Sequence, residues 1–256
     1  MGILDTISTT APEEWEKDII KKENKAIIKR ISELQRVLYA DGSKSLLLIL
    51  QGVDAAGKDG TVRKIFSGVN PLGCRVYSFK KPTEEEMAHD FLWRIHKAVP
   101  AKGMIHIFNR SHYEDILVPT VLGTHPKKQI EKRFEQINQF EELLESEGTK
   151  IIKCYLHISK EEQLERLTER LEYPHKHWKH NDGDWSSRKL WDDYMSVYET
   201  IFKRCDKIPW TIVPADKNWV KINHVAKAIV KTMEQMNLQW PGLETEKFTN
   251  NPNINV

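Results

Sequence analysis

Residues 52–61 read GVDAAGKDGT, and the spacing Gly52-x-x-x-x-Gly57-Lys58 is that of a loop that cradles phosphate. Glycines allow tight turns and let backbone approach an anion closely. Loop N–H groups and a helix N-terminus add partial positive charge, and Lys58 adds a whole one. The same stretch carries two carboxylates, Asp54 and Asp59. A bare carboxylate about 4 Å from a phosphate oxygen is repelled by about 4 kcal/mol at an effective dielectric of about 20. A divalent cation between them turns repulsion into attraction, so the loop is expected to hold phosphate partly through Mg2+, with Mn2+ the alternative ion. Asp54 is the candidate metal ligand. Asp59 stands where a metal-binding Ser or Thr usually follows the lysine; it and Thr61 either serve the metal's outer water or belong to the first helical turn. Ala55, Ala56, Gly57 and Gly60 complete the candidate phosphate- and nucleotide-binding set.

A second group is Phe108-Asn109-Arg110-Ser111-His112-Tyr113-Glu114-Asp115. Asn109 replaces an expected carboxylate with an amide, whose oxygen can still face a metal or its water, and Asp115 is a further carboxylate candidate. Arg110 is a natural phosphate clamp, with Ser111 beside it; a helix cap with a surface salt bridge is the plainer reading of this run. Lys80 and Lys81 are either anion-attracting or simply solvated. Arg166 and Arg170, four apart, share a helix face and either pair with Glu162 and Glu165 or reach a ligand. Lys176, Lys179 and Arg188 follow, in a segment with Trp178 and Trp185. The histidines of HKHWKH (175–180) lack the Cys/His spacing of a structural zinc site, and no cysteine has a base partner nearby. The lack of an evident general base suits an acceptor that is already an anion near neutral pH, such as a nucleotide's terminal phosphate.

These residues need a frame. Residues 11–40 read as a helix with an apolar stripe at Ile20, Ile27, Ile28, Ile31, Leu34 and Leu38, ended by Asp41-Gly42. Strands are expected at 45–50, 74–79, 104–108, 150–158 and 211–215. Helices are expected at 58–68, 83–98, 112–121, 127–147, 160–171, 187–205 and 217–237, with Ser159-x-x-Glu162 as a capping box. The alternation predicts an α/β fold: a parallel sheet of about five strands flanked by helices, with ligands at the strand C-termini. The polar, aromatic segment 172–187 is the candidate lid, the whole lid region running over about 166–190. The chain divides into an N-terminal helical extension (1–44), a core (45–240) and a tail (241–256).

Bulk properties narrow the function class. The chain has 256 residues, 30% charged and 39% hydrophobic, as expected of a globular domain with a sizeable core. Its net charge of +2 gives no bulk field for nucleic acid. The longest apolar run before the loop is Leu46–Leu50, so no membrane span is expected, and the N-terminus lacks a signal-peptide pattern. Three scattered cysteines, Cys74, Cys154 and Cys205, fit a reducing cytoplasm.

Taken together, GVDAAGKDGT, YSFKKPTEEEMAHDFLWRIHKAVP, GMIHIFNRSHYEDILV and ERLTERLEYPHKHWKHNDGDWSSRKLWDDYMSVYE resemble polyphosphate kinase family 2 over roughly residues 11–240. FNRSHYED resembles its class III. The resemblance implies a P-loop kinase core with a helical lid, usually a homo-oligomer (dimer or tetramer). It implies reversible transfer of the terminal phosphoryl group of inorganic polyphosphate to AMP and ADP, guanine nucleotides being a further option. It places Asp54 on magnesium, Lys58 on the phosphates in flight, and Arg110, Asn109 and Ser111 on nucleotide or phosphate. Lys80, Lys81, Arg166, Arg170, Lys176, Lys179 and Arg188 become candidates for the polyphosphate channel and lid. An ATP-dependent P-loop kinase of a small metabolite and a nucleotide-dependent binding or switch protein are the alternatives.

Overall fold

The computed structural model describes residues 2–243; residues 244–256, most of the expected tail, lie outside the described residues. Along the chain come α1 (Ile3–Thr6), α2 (Lys17–Asp41), β1 (Ser45–Gln51), α3 (Lys58–Ile65), β2 (Cys74–Ser78), α4 (Glu84–Met87), α5 (Trp93–His96) and β3 (Ile105–Asn109). They are followed by α6 (Glu114–Leu122), α7 (Lys127–Ser146), β4 (Thr149–His157), α8 (Lys160–Glu172), α9 (Asp182–Lys189), α10 (Trp191–Arg204), β5 (Trp210–Pro214) and α11 (Asn218–Gln235). The strands form one five-stranded sheet in the order β2-β3-β1-β4-β5, every pairing parallel. All five lie within one residue of the expected bounds.

Alternation along the central strand builds two cores, because successive side chains of a strand point to opposite faces. Leu47 and Ile49 of β1 pack with Phe108, Ile151 and Tyr155 under α5, α6, α7 and α10. Leu46, Leu48 and Leu50 pack with Ile107, Ile152, Cys154 and Leu156 under α2, α3 and α11. Burial on both faces is why β1 is apolar throughout. Leu48 is fully buried, and Leu48→Ala should cost about 2–5 kcal/mol.

The expected stripe seats α2: Ile20, Ile31, Leu34 and Leu38 are buried, Ile27 and Ile28 half-buried. Gly42 ends the helix in the left-handed region (φ 62°), its N–H donating to Leu38 O. Asn223 Nδ2 of α11 donates to Asn24 Oδ1 of α2 at 2.9 Å, locking the two helices in register.

Four features differ from expectation. The helix expected from residue 11 starts only at Lys17, residues 11–16 being non-helical. The single helix expected at 83–98 is two one-turn helices. Thr83 and Glu86 close a capping box on the first, and Asp90 Oδ1 accepts from Leu92 N at 2.9 Å, an alternative to helix that short polar side chains offer the backbone. The helix expected at 187–205 breaks at Leu190, and its first part, α9, begins at Asp182, inside the 172–187 segment read as a polar, aromatic candidate lid. Asn181 makes that start possible by accepting from Gly183 N at 2.9 Å. The capping box of α8 is half made: Ser159 Oγ accepts from Glu162 N, but the Glu162 carboxylate turns to Arg166 and Ser159 N donates to Asp216 Oδ1. Among the described residues, no helix is long and apolar enough to cross a membrane.

Candidate functional site

The central strand β1 delivers the loop 52–57 to the C-terminal edge of the sheet, and α3 starts at Lys58 directly after it. Gly52 (φ +151°) runs so close to β4 that a Cβ there would stand 2.9 Å from Leu156 O. Gly57 takes φ +94° as the N-cap of α3, and Ala55 shares the left-handed region at φ 63°. The first amides of a helix have no carbonyl partner within it, so α3 presents N–H donors and the positive end of its dipole to this edge.

Lys58 is buried and folds back on the loop, Nζ donating to Gly52 O at 2.7 Å and Val53 O at 3.2 Å. Burial, and then Arg110, pull its pKa down to about 8, against the raising influence of Asp54, Glu114 and Asp59.

Neighbouring β3 brings the second motif beside the loop, since Leu50 and Asn109 are register partners. Arg110 follows the strand at φ 63°, its N–H held by Leu50 O. Arg110 Nη2 donates to Asp54 Oδ1 at 2.6 Å. Asn109 Nδ2 donates to Asp59 Oδ1, joining the two candidate motifs a second time. Ser111 is fully buried and caps the following turn, accepting from Tyr113 N at 3.3 Å.

Asp115, the further carboxylate candidate, pairs instead with Arg94 at 3.2 Å. Its neighbour Glu114 lies in the field of Arg110, Lys58 and Asp54; burial raises its pKa although the two cations oppose. Asp184 of α9 joins the same field: burial and then Asp54 raise it, against Arg170 and Arg110. Tyr194 of α10 is raised by burial and by Asp54 and Glu114. Sequence reasoning passed over Asp184, Tyr194 and Gln163, whose Nε2 donates to Asp54 O at 3.0 Å. The helix pattern of α8 was the available signal for Gln163, which lies one turn before Leu167 on its buried face.

Among the described residues, no three His, Cys, Asp or Glu side chains converge as a ready-made cation site. Mg2+ is commonly held by only one or two carboxylates, with waters and substrate phosphates completing the shell. Asp54, at the loop mouth with one oxygen on Arg110, has the donor chemistry for that mode. Asn109 spends its amide nitrogen on Asp59 and keeps an oxygen acceptor.

The basic residues of the lid region are distributed unequally. Arg166 Nη1 donates to Ala55 O and Ala56 O at 3.0 and 3.1 Å, and Nη2 to Ala215 O and Asp216 O at 2.8 Å each. Its Nε pairs with Glu162 at 2.9 Å, so its guanidinium is fixed under the phosphate loop. Arg170 Nη1 meets Asp184 Oδ2 at 2.5 Å and ties α9 to α8. Arg188 donates to Lys160 O at 2.7 Å and Gln163 Oε1 at 2.8 Å. Lys176 pairs with Glu169 at 2.6 Å, and Lys179 lies over the exposed Trp178 ring. Lys80 and Lys81 are exposed just beyond the C-terminal end of β2.

His112 is fully buried, away from the loop mouth, with Nε2 3.1 Å from Glu141 Oε1. Lys153 Nζ donates to Glu141 Oε2 (2.7 Å), Tyr113 Oη (2.8 Å) and Cys205 O (2.9 Å), and Tyr113 Oη donates to Glu141 Oε1 (2.7 Å). Burial would raise Glu141, but the His112 and Lys153 contacts hold its pKa below the ordinary value. This buried network anchors the segment that carries Arg110 and Glu114.

The family model for polyphosphate kinase 2 (PPK2) matches residues 14–241. An AMP/ADP-polyphosphate phosphotransferase of Meiothermus ruber is 48% identical over 219 residues, 85% of this chain and 82% of that protein. An ADP-polyphosphate phosphotransferase of Rhodopseudomonas palustris is 40% identical over 84% of this chain and 79% of its own length. The crystal structure of polyphosphate kinase 2 from Arthrobacter aurescens TC1 superposes with a TM-score of 0.92 at 40% identity, over 95% of this chain and 89% of that one. With residues 52–61, 108–115 and 166–190 all inside the matched span, the chain belongs to the polyphosphate kinase 2 family.

Proposed function

We propose that the chain moves the terminal phosphoryl group of inorganic polyphosphate to AMP and to ADP, reversibly, with Mg2+ as the assisting cation. The observation that carries this reading is the Asp54–Arg110 pair at the mouth of the phosphate loop: a carboxylate for the cation and a guanidinium for phosphate, already side by side. The Meiothermus relative, named for both AMP and ADP, supports the two acceptors.

Two polyanions must meet end to end, and the chain's task is to make that meeting possible. The N–H groups at the start of α3 and the Lys58 ammonium hold the phosphates of the transferring group. Arg110 turns from Asp54 to a phosphate oxygen, where its fork fits two oxygens at once. Asp54, released, would be free to hold the cation, with the Asn109 amide oxygen alongside. Magnesium there would supply positive charge that screens the phosphates. Lys80 and Lys81 line the approach at the sheet edge, and Arg170, Lys176, Lys179 and Arg188 hold and close the lid over it, excluding water. An acceptor phosphate needs no proton removed, which agrees with His112 being buried in a structural network. The three free cysteines accord with work in a reducing cytoplasm.

The test is a mixture of protein, Mg2+, AMP and long-chain polyphosphate without ATP. ADP, then ATP, should accumulate. Phosphorylation from ATP alone, with polyphosphate inert as donor, would replace this reading with that of a metabolite kinase.

A further inference from the structure

Lys221 stands in the first turn of α11, is 1% exposed, and belongs to none of the motifs above. Its Nζ donates to Ala56 O at 3.1 Å, the same carbonyl that Arg166 Nη1 holds at 3.1 Å. In a trans peptide the C=O of one residue and the N–H of the next point in opposite directions. Two cations gripping the Ala56 carbonyl from behind therefore aim the Gly57 N–H the other way, into the cradle. The amine is so close that a Cβ on Gly57 would meet Nζ and push it aside, and the φ of +94° disfavours a side chain there in any case.

The charges around Lys221 do not neutralise it. Lys58 of α3 and Arg166 of α8 are cations. Glu162 of α8 gives its oxygens to Arg166 at 2.9 Å and Lys217 at 3.8 Å. Asp216, before α11, is taken by Ser159 N at 2.8 Å and Thr9 Oγ1 at 2.6 Å. Burial, then Arg166, lower the Lys221 pKa to about 7, with Glu162 opposing. A buried amine without its own counter-ion is a costly feature unless an anion arrives to complete it.

We infer that Lys221 is a positioning residue of the phosphate site: through the Ala56 carbonyl it fixes the Gly57 amide toward the bound phosphate, and that phosphate supplies the counter-charge the protein lacks. This rests on the proposed phosphate-binding role of the loop and not on polyphosphate being the donor.

The test is calorimetric titration of wild type and Lys221→Met with inorganic tripolyphosphate and Mg2+. It is run at pH 7.5 in two buffers of different ionisation enthalpy, which reports protons taken up on binding. Lys58 titrates in both proteins, so the difference between them isolates Lys221. Lys221→Met should bind at least about ten-fold more weakly and take up fewer protons, with a thermal midpoint equal to or above wild type, because the cost of burying and deprotonating an ionisable amine is gone. In turnover the loss should fall on KM for the phosphate donor, with kcat within about three-fold. Equal affinity and equal proton uptake in the variant would overturn the inference. So would a lowered midpoint with unchanged affinity, which marks a lysine that only fills the core. Wild type that fails to bind tripolyphosphate would overturn it as well. Which donor the wild type uses in turnover scores the proposed function separately.

Discussion

Arg110 closes on Asp54 across the mouth of the phosphate loop, Nη2 to Oδ1 at 2.6 Å, although 56 residues separate them in sequence. Adjacent parallel strands bring them together: Asp54 follows β1, Arg110 follows β3, and the two strands pair through Leu50 and Asn109. In the proposed reading, Arg110 leaves Asp54 for a phosphate oxygen when substrate binds. Arg110→Lys keeps the charge and loses the planar fork. It should lower kcat/KM about 100- to 1000-fold, comparable to losing one oriented donor, with the thermal midpoint little changed because the pair is partly exposed. Activity within about three-fold of wild type would remove Arg110 from the clamp.

The buried Lys153–Glu141 pair, 2.7 Å apart, supports the same motif from below. Lys153→Met or Glu141→Gln alone strands a partner and should cost about 3–5 kcal/mol by urea unfolding. The double variant Glu141→Gln/Lys153→Met removes both charges, keeps an acceptor for His112 and Tyr113, and should recover most of that stability. Additive losses in the double variant would contradict a coupled pair.

Lys58 and Lys221 together set a pH dependence of stability. Their folded pKa values are lowered from 10.5 to about 8 and about 7, so the folded state binds fewer protons than the unfolded chain across that window. Stability therefore rises as pH climbs from about 7 towards 10.5, and below about 7 the full cost of two buried cations is felt. Urea midpoints at constant ionic strength should rise more steeply over this range in wild type than in Lys58→Met/Lys221→Met. Identical slopes would show that neither lysine is held with a lowered pKa.

The sheet and the phosphate loop were legible because their signals are local. A doubly buried strand such as SLLLIL is apolar throughout, and the glycine and lysine spacing at 52–58 fixes a strand–loop–helix unit by itself. Residues whose role depends on distant contacts were not. Arg166 reads as a lid residue from its place on α8, yet its guanidinium joins carbonyls 55, 56, 215 and 216, none of them near it in sequence. Lys221 has no motif at all and meets Ala56 from 165 residues away. Asp115 and Glu114 are adjacent, and which one faces the site was decided by Arg94, which turns Asp115 aside. The start of α9 was missed because Asn181 caps a turn of otherwise irregular composition.

The proposed reaction depends on a divalent cation held at Asp54, which lets two polyanions approach. Its most direct measurement is the rate of transfer from polyphosphate to AMP as Mg2+ is titrated, in wild type and in Asp54→Asn. Transfer should cease in excess chelator, Mg2+ should activate wild type saturably, and the folded variant should be at least about 100-fold slower, a loss that excess Mg2+ does not restore. Transfer that survives chelation, or an Asp54→Asn enzyme with the wild-type response to Mg2+, would contradict that dependence.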